Sequence, residues 1–222
     1  MNNEFEKFYL SRYHYGRSGL DSIMKFQNQY VNPYILEERQ LHVTQMDVFS
    51  RLMMDRIIFF GTEFDSVACN IINAQLLYLE STAPGTDISI YINSPGGSVS
   101  DGMGVIDTVN FISSPVATIC TGLSASMGAM LLVSGEPGKR ASLPHGRIMI
   151  HQPMGGVHGQ ASDIEIEARQ IAILKEELYQ ILSERTGQPI KKIYEDADRN
   201  FWMTAPEAKE YGLIDSVILK KK

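Results

Sequence analysis

The chain is poor in the features that would declare a class at once. It has two cysteines, Cys69 and Cys120, in 222 residues. That excludes a disulfide framework, and neither cysteine sits at a CxxC or Cys/His ligand spacing. Both lie in apolar segments and read as small core residues of a reducing compartment. No apolar run reaches the ~18 residues of a membrane span. The first ~30 residues lack the uninterrupted apolar core of a secretory signal. These absences predict a cytoplasmic location. Basic charge is also scarce: 20 Lys and Arg against 26 Asp and Glu give a net charge of −6. That balance argues against a nucleic-acid partner, and the only basic run is Lys220, Lys221 and Lys222. There is no G-x-x-x-x-G-K-[ST] and no G-x-G-x-x-G, so a nucleotide-phosphate loop is excluded. No two histidines stand at metal-ligand spacing, and no zinc site is expected.

What is present reads as one soluble globular domain, with 44% apolar and 21% charged residues. Residues 1–34 stand apart. They hold eight of the chain's twenty aromatics without helical or strand period, and Asn32-Pro33 marks a break. This stretch reads as an extension: a removable leader, a partner-binding arm or a loose tail. From Thr44 onward strands and helices alternate. Thr44-Gln-Met-Asp47 resembles a capping box before a helix reaching Asp55. Strands are predicted at Ile57–Phe60, Ile88–Ile92, Val116–Cys120 and up to Ile150. Helices are predicted at Asp65–Glu80, with Val67, Ile71, Ala74, Leu77 and Tyr78 at helical spacing, at Val99–Ile112 and around Ala125–Val133. Alternation at these intervals means α/β with a largely parallel sheet. A long helix then follows the capping-box pattern Ser162-Asp-Ile-Glu165, with Ile164, Ala168, Ile171, Leu178, Ile181 and Leu182 recurring at three and four. Gly187 is placed to cap it and Pro189 to stop it. A helix of that length either covers a core or projects to pack against another subunit.

Three local features converge on chemistry. Ser124-Ala-Ser126-Met-Gly128 follows a strand and opens a helix. A serine at such a bend presents its hydroxyl, and backbone N–H groups at the helix start can hold a developing oxyanion. The pattern is S-x-S-x-G rather than the full G-x-S-x-G elbow, and small residues there also let a helix pack closely. Ser124 would suit the N-cap and Ser126 the first turn, with the glycine two residues on slightly favouring Ser126. His151 ends the apolar strand Ile148-Met-Ile-His151, where parallel-sheet enzymes place active residues. Alone it would equally be a turn histidine. Ser94-Pro-Gly-Gly-Ser98 is a tight loop whose N–H groups could approach a ligand, or a simple turn.

At these residues the chain resembles the ClpP family, the proteolytic subunits of ATP-dependent Clp proteases. The resemblance rests on Tyr91-Ile-Asn-Ser-Pro-Gly-Gly-Ser98, Ser124-Ala-Ser-Met-Gly-Ala129, Met149-Ile-His-Gln-Pro153, Gly159-Gln-Ala-Ser-Asp-Ile-Glu165, Thr204-Ala-Pro-Glu-Ala208 and Tyr211-Gly-Leu-Ile-Asp215. They occur in the family's order and spacing from about Thr44 to Ile218. It implies a ClpP/crotonase-like α/β spiral of ββα units with a long projecting handle helix. It implies a serine endopeptidase with Ser126 as nucleophile, His151 as general base, and the N–H groups of Gly97 and Met127 as oxyanion donors. It further implies two stacked heptameric rings around a chamber, with unfolded polypeptides fed in by a hexameric AAA+ Clp ATPase. ATP is then used by that partner, and this chain carries no cofactor. Residues 35–222 would form the protease domain, 35–47 lining the axial pore and 155–187 forming the handle region. Asp198 and Arg199 resemble a ring-to-ring pair. Tyr91 and Phe111 fall where the family docks an unfoldase loop.

One position departs from the family. Counting back from Thr204-Ala-Pro206, the third triad member is Asn200 where the family usually has aspartate. Asparagine can accept the histidine N–H but brings no charge. Such a triad predicts slow or assembly-gated catalysis, a weakly active or non-catalytic subunit in a mixed ring, or Asp198 moving into the site. An enoyl-CoA hydratase-like enzyme, alike only in fold, would use glutamates where this chain has the serine and histidine runs.

Overall fold

A computed structural model describes residues 34–39, 42–156 and 158–219. The expected extension over residues 1–34 lies almost wholly outside the described residues. The chain divides into two units, residues 1–51 and 52–222.

In the first unit, β1 (Tyr34–Arg39) and β2 (His42–Asp47) pair antiparallel, with Tyr34 opposite Asp47 and Arg39 opposite His42. The capping box expected at Thr44–Asp47 is therefore a strand, because cross-strand pairing satisfies those backbone groups first. The helix starts one residue after it, as α1 (Val48–Met54). Asp47 serves its first turn: Oδ1 accepts from the Ser50 N–H at 3.0 Å.

The second unit is a mixed α/β arrangement. After β3 (Ile57–Phe60) come α2 (Ser66–Thr82), β4 (Ile88–Ser94), α3 (Val99–Phe111) and β5 (Val116–Ala125). Then follow α4 (Met127–Val133), β6 (Arg140–Ser142), β7 (Arg147–Ile150), α5 (Ala161–Thr186), α6 (Ile190–Asp196), β8 (Phe201–Thr204), α7 (Ala205–Tyr211) and β9 (Ser216–Val217). The sheet runs β3-β4-β5-β6-β9 in parallel, while β7 pairs parallel with β5 and antiparallel with β8. Ile88, Ile90 and Ile92 of β4 and Val116 and Cys120 of β5 fill the core with Leu76, Ile106, Leu131 and Leu132. Both cysteines are free and buried, and burial pushes the Cys69 thiol up to about 11.

Strand β5 departs most from the sequence-based prediction. It continues through Thr121-Gly122 to Ala125 because it has a second partner there. Thr118–Cys120 pairs with β6, and Leu123–Ala125 pairs with β7. On its other edge the register slips. Between Ile92↔Cys120 and Ser94↔Ser124, β4 advances two residues and β5 four. Asn93 bridges the irregularity, its Oδ1 accepting from the Leu123 N–H at 3.0 Å.

Two helices also correct the sequence reading. On α2 the buried residues are Ala68, Cys69, Ile72, Leu76 and Leu79. The expected stripe is instead exposed: Val67 at 53%, Ile71 at 48%, Leu77 at 47% and Tyr78 at 57%, with Ala74 also exposed. Apolar residues occupy both sides of this helix, and spacing alone selects the wrong side. On α5 the N-cap is Gln160, without a side-chain cap, so Ser162 lies inside the helix. Its buried residues are Leu178, Tyr179 and Leu182, and Gly187 caps it in the left-handed region. Residues 161–170 of this helix are exposed throughout.

Glu80, near the end of α2, ties that helix to the turn entering β5. Its carboxylate accepts from the N–H and hydroxyl groups of both Ser113 and Ser114. These bonds hold the carboxyl at about 2, against an ordinary 4.5. Unfolding releases them, so the unfolded chain takes up the proton first. The contribution of Glu80 is full above 4.5 and is lost as the pH falls toward 2. Urea unfolding from pH 6 to 3 should therefore show a steeper acid loss in the parent chain than in Glu80→Gln; parallel curves would contradict this.

Candidate active site

Strand β5 ends in a sharp turn at Ser126. The residue has φ 54° and ψ −122°, a region that side chains rarely occupy and that costs of order 1–3 kcal/mol. Three bonds hold it there: its N–H donates to Met149 O at 2.8 Å, and its carbonyl accepts from Ala129 N at 2.9 Å and Met130 N at 3.1 Å. Ser126 is thus the N-cap residue of α4, not a residue of its first turn as expected, and Ser124 is not the cap. Ser124 is fully buried on β5, and its Oγ has no partner. The glycine two residues after Ser126 is explained by contact: a Cβ on Gly128 would stand 2.9 Å from Ser94 O.

The same turn delivers the hydroxyl to a histidine. Ser126 Oγ lies 2.8 Å from His151 Nε2, and His151 Nδ1 lies 3.0 Å from Asn200 Oδ1. With the asparagine oxygen accepting, Nδ1 carries the proton and Nε2 is left to accept from the serine hydroxyl. His151 follows β7, and Asn200 immediately precedes β8. The antiparallel pairing of these strands, Ile150 opposite Phe201, brings the two residues together.

The loop from Ser94 to Ser98 closes the site from the β4 side. Gly96 lies against the Ser126 Cβ and the Met127 N–H. Phe64 N donates to Gly96 O at 2.9 Å and Ser98 N to Phe64 O at 2.8 Å. Gly97 sits between them at φ 149°, where a Cβ would fall 2.3 Å from Phe64 O. Only glycine fits this close approach. Among the described residues, the loop's own bonds leave the N–H groups of Gly97 and Met127 uncommitted. Beside Ser126 lies a narrow apolar recess of about 20 Å³, walled by Val99, Met127, Met130, Ile150, Leu178 and Leu182.

Asp198 and Arg199 line a recess shared with His151 and Asn200, but the Asp198 carboxylate is not hydrogen-bonded to His151: Gln152 Nε2 donates to Asp198 O at 2.8 Å and to Oδ1 at 3.4 Å, and the carboxylate stands 3.8 Å from Arg199 Nε. Both Asp198 and Arg199 are exposed. Tyr91 is half-buried on β4, beside Phe59 of β3 in register, and Phe111 at the end of α3 is 82% exposed. Sequence reasoning missed the cavity walls from α5 and the contacts of Gln152. No local pattern marks them, since their partners lie 23 and 46 residues away.

The arrangement can pass a proton from a hydroxyl to an imidazole held by a neutral amide, at the mouth of a narrow apolar recess. Comparison with known proteins agrees. A family model described as Clp protease matches residues 39–221. A protein of Bacteroides fragilis named ATP-dependent Clp protease proteolytic subunit is 65% identical over 202 residues, covering 91% of this chain and 98% of that protein. One of the same name from Bacteroides thetaiotaomicron is 62% identical over 221 residues, covering 99% and 100%. Another from Porphyromonas gingivalis is 56% identical over 220 residues, covering 99% of each.

Gly97→Ala should lower the unfolding free energy by about 1–3 kcal/mol in urea titration, from overpacking and backbone strain. It should also slow labelling of Ser126 by a fluorophosphonate, because the loop must retreat. Labelling at the parent rate would show that the loop takes no part in the site.

Proposed function

The chain belongs to the Clp protease family and is a serine-type peptidase, and from that premise we propose how its residues divide the work. Ser126 Oγ attacks the carbonyl carbon of a substrate amide while His151 Nε2 takes the hydroxyl proton. Asn200 Oδ1 accepts the Nδ1–H bond and keeps the imidazole in the tautomer that can do so. The N–H groups of Gly97 and Met127 receive the oxyanion of the tetrahedral intermediate. His151 returns the proton to the leaving amine, and the C–N bond breaks. Water then attacks the acyl-enzyme by the same route, releasing the acid and restoring Ser126. The single observation that carries this reading is the continuous contact from Ser126 through His151 to Asn200.

The neutral amide of Asn200 leaves the imidazolium without an adjacent fixed charge, which makes this a slower triad than one with aspartate. In one well-studied serine protease the change from aspartate to asparagine costs about 10⁴ in turnover.

The wider assembly belongs to the same proposal. The chain works in the cytoplasm as two stacked heptameric rings, with 155–187 as the handle region between rings and Asp198 and Arg199 at the ring contact. Residues 35–47 line the axial pore, and residues 1–34 act as a leader or arm. Tyr91 and Phe111 receive a loop of a hexameric AAA+ Clp ATPase, which supplies the unfolding energy that a chain without a phosphate loop or cofactor cannot. Three observations support association: the exposed apolar stripe of α2, the exposed first turns of α5 with Ile164 and Ile166, and the exposed Phe111. Among the described residues no helix is long and apolar enough to cross a membrane.

The test is hydrolysis of fluorogenic peptides by the purified oligomer. Ser126→Ala should lose at least about 10³-fold in turnover. Asn200→Asp should gain about tenfold or more by adding the missing charge. Undiminished hydrolysis by Ser126→Ala would overturn the assignment of the nucleophile.

A further inference from the structure

A network outside the triad joins its two separate arms. Gln152 follows His151 directly. Its backbone N–H donates to Ala197 O at 2.6 Å, and its side-chain Nε2 donates to Asp198 O at 2.8 Å. Residues 197 and 198 belong to the segment that delivers Asn200. The same Nε2 also donates to Asp198 Oδ1 at 3.4 Å, so Gln152 ties the histidine arm to the asparagine arm by three bonds, two residues short of the triad contact itself.

The amide of Gln152 can work this way in only one orientation. If its ends exchanged, its oxygen would face the Asp198 carbonyl, and two acceptors would be opposed. Lys175, on the long helix α5, decides between the two. Its Nζ lies 3.1 Å from Gln152 Oε1. An ammonium has donors only, so it holds the oxygen on its own side and leaves the NH₂ for Asp198. Lys175 is itself held. Its Nζ lies 5.3 Å from the Tyr179 ring centroid and 5.7 Å from that of Tyr194. Tyr179 adds a parallel tie, its hydroxyl donating to Ala197 O at 3.1 Å.

We propose that Lys175 and Gln152 are positioning residues of the triad: Lys175 fixes the Gln152 amide, and Gln152 fixes the separation of His151 from Asn200. The inference rests on the triad reading above. In a triad with aspartate, the attraction of carboxylate for imidazolium itself pulls the pair into line. Asn200 supplies no such attraction, so alignment falls to the surrounding bonds. Misplacement by 1 Å costs on the order of 10²-fold in rate, and this network is the element that prevents it. It also places the alignment of the site under the control of α5, whose first turns project beyond the core.

The experiment compares the assembled parent with Lys175→Met, Lys175→Arg and Gln152→Glu. It measures kcat and KM for a fluorogenic peptide, the rate of fluorophosphonate labelling, the thermal midpoint and the oligomer size. Lys175→Met keeps the apolar stem and removes the donor. It should lower kcat and the labelling rate by about tenfold or more, with KM within about twofold. Lys175→Arg restores a donor and should recover most of kcat. Gln152→Glu is the sharper case. It strengthens the link to Lys175 but sets a carboxylate oxygen against both Asp198 O and Asp198 Oδ1, so a mere tether to Lys175 would gain while a positioning amide loses kcat. Parent-like kcat in Lys175→Met or Gln152→Glu overturns the inference alone. So does a loss that follows the thermal midpoint and is not recovered by arginine. Should Lys175→Met fail to assemble, Lys175→Arg and Gln152→Glu decide. A parent whose hydrolysis does not depend on Ser126 overturns the triad reading and the inference together.

Discussion

Much of the site depends on one hydrogen bond at the end of a strand, from Ser126 N–H to Met149 O at 2.8 Å. It is the last rung between β5 and β7, and it falls where the chain must leave the sheet and start a helix. Without it only the helix-side bonds would hold a serine at a positive φ of 54°. With it, the turn is fixed on the β7 side by this rung and on the helix side by the bonds to Ala129 and Met130. The rung also ties the nucleophile's backbone to the strand that carries His151, so the two reacting side chains share one rigid support. A site built on strand ends in this way holds its geometry better than one built on loops.

That rung is possible only because β5 divides its edge between two partners. Its first half pairs with β6 and its second half with β7. The slip at Asn93 on the opposite edge lets the strand run on while β4 ends. The loop from Ser94 to Ser98 then turns back across Ser126 and brings Gly96 against it. Sheet irregularity and site geometry are here the same structural event.

The substitution of a neutral amide for a carboxylate shifts where the site's order must come from. A carboxylate would supply both hydrogen bond and charge; Asn200 supplies the hydrogen bond alone. The surrounding structure ties the two arms together through the β7–β8 pairing, the three bonds from Gln152 and the hydroxyl of Tyr179. The last of these runs to the long helix, whose residues 161–170 are exposed. Among the described residues apolar surface is left exposed on α2, α5 and at Phe111.

The sequence by itself determined the α/β class and the long helix with its Gly187 cap, because these are written in local periodicity and in residues adjacent along the chain. Ser126, His151 and Asn200 were singled out by the resemblance of the motifs to a known family, since the local patterns alone left Ser124 and a turn histidine open. The sequence could not tell a cap from a strand at Thr44–Asp47, since the winning interaction was hairpin pairing with β1, which the spacing of those four residues does not record. Nor could it choose the buried side of α2, which carries apolar residues on both sides. Strand β8 and the second half of β5 were hidden because each exists only through its partner. The Lys175–Gln152–Asp198 contacts were hidden for the same reason. Only the tertiary structure decided these, since a pairing or a hydrogen bond between residues far apart in the chain has no energy until the fold has brought them together.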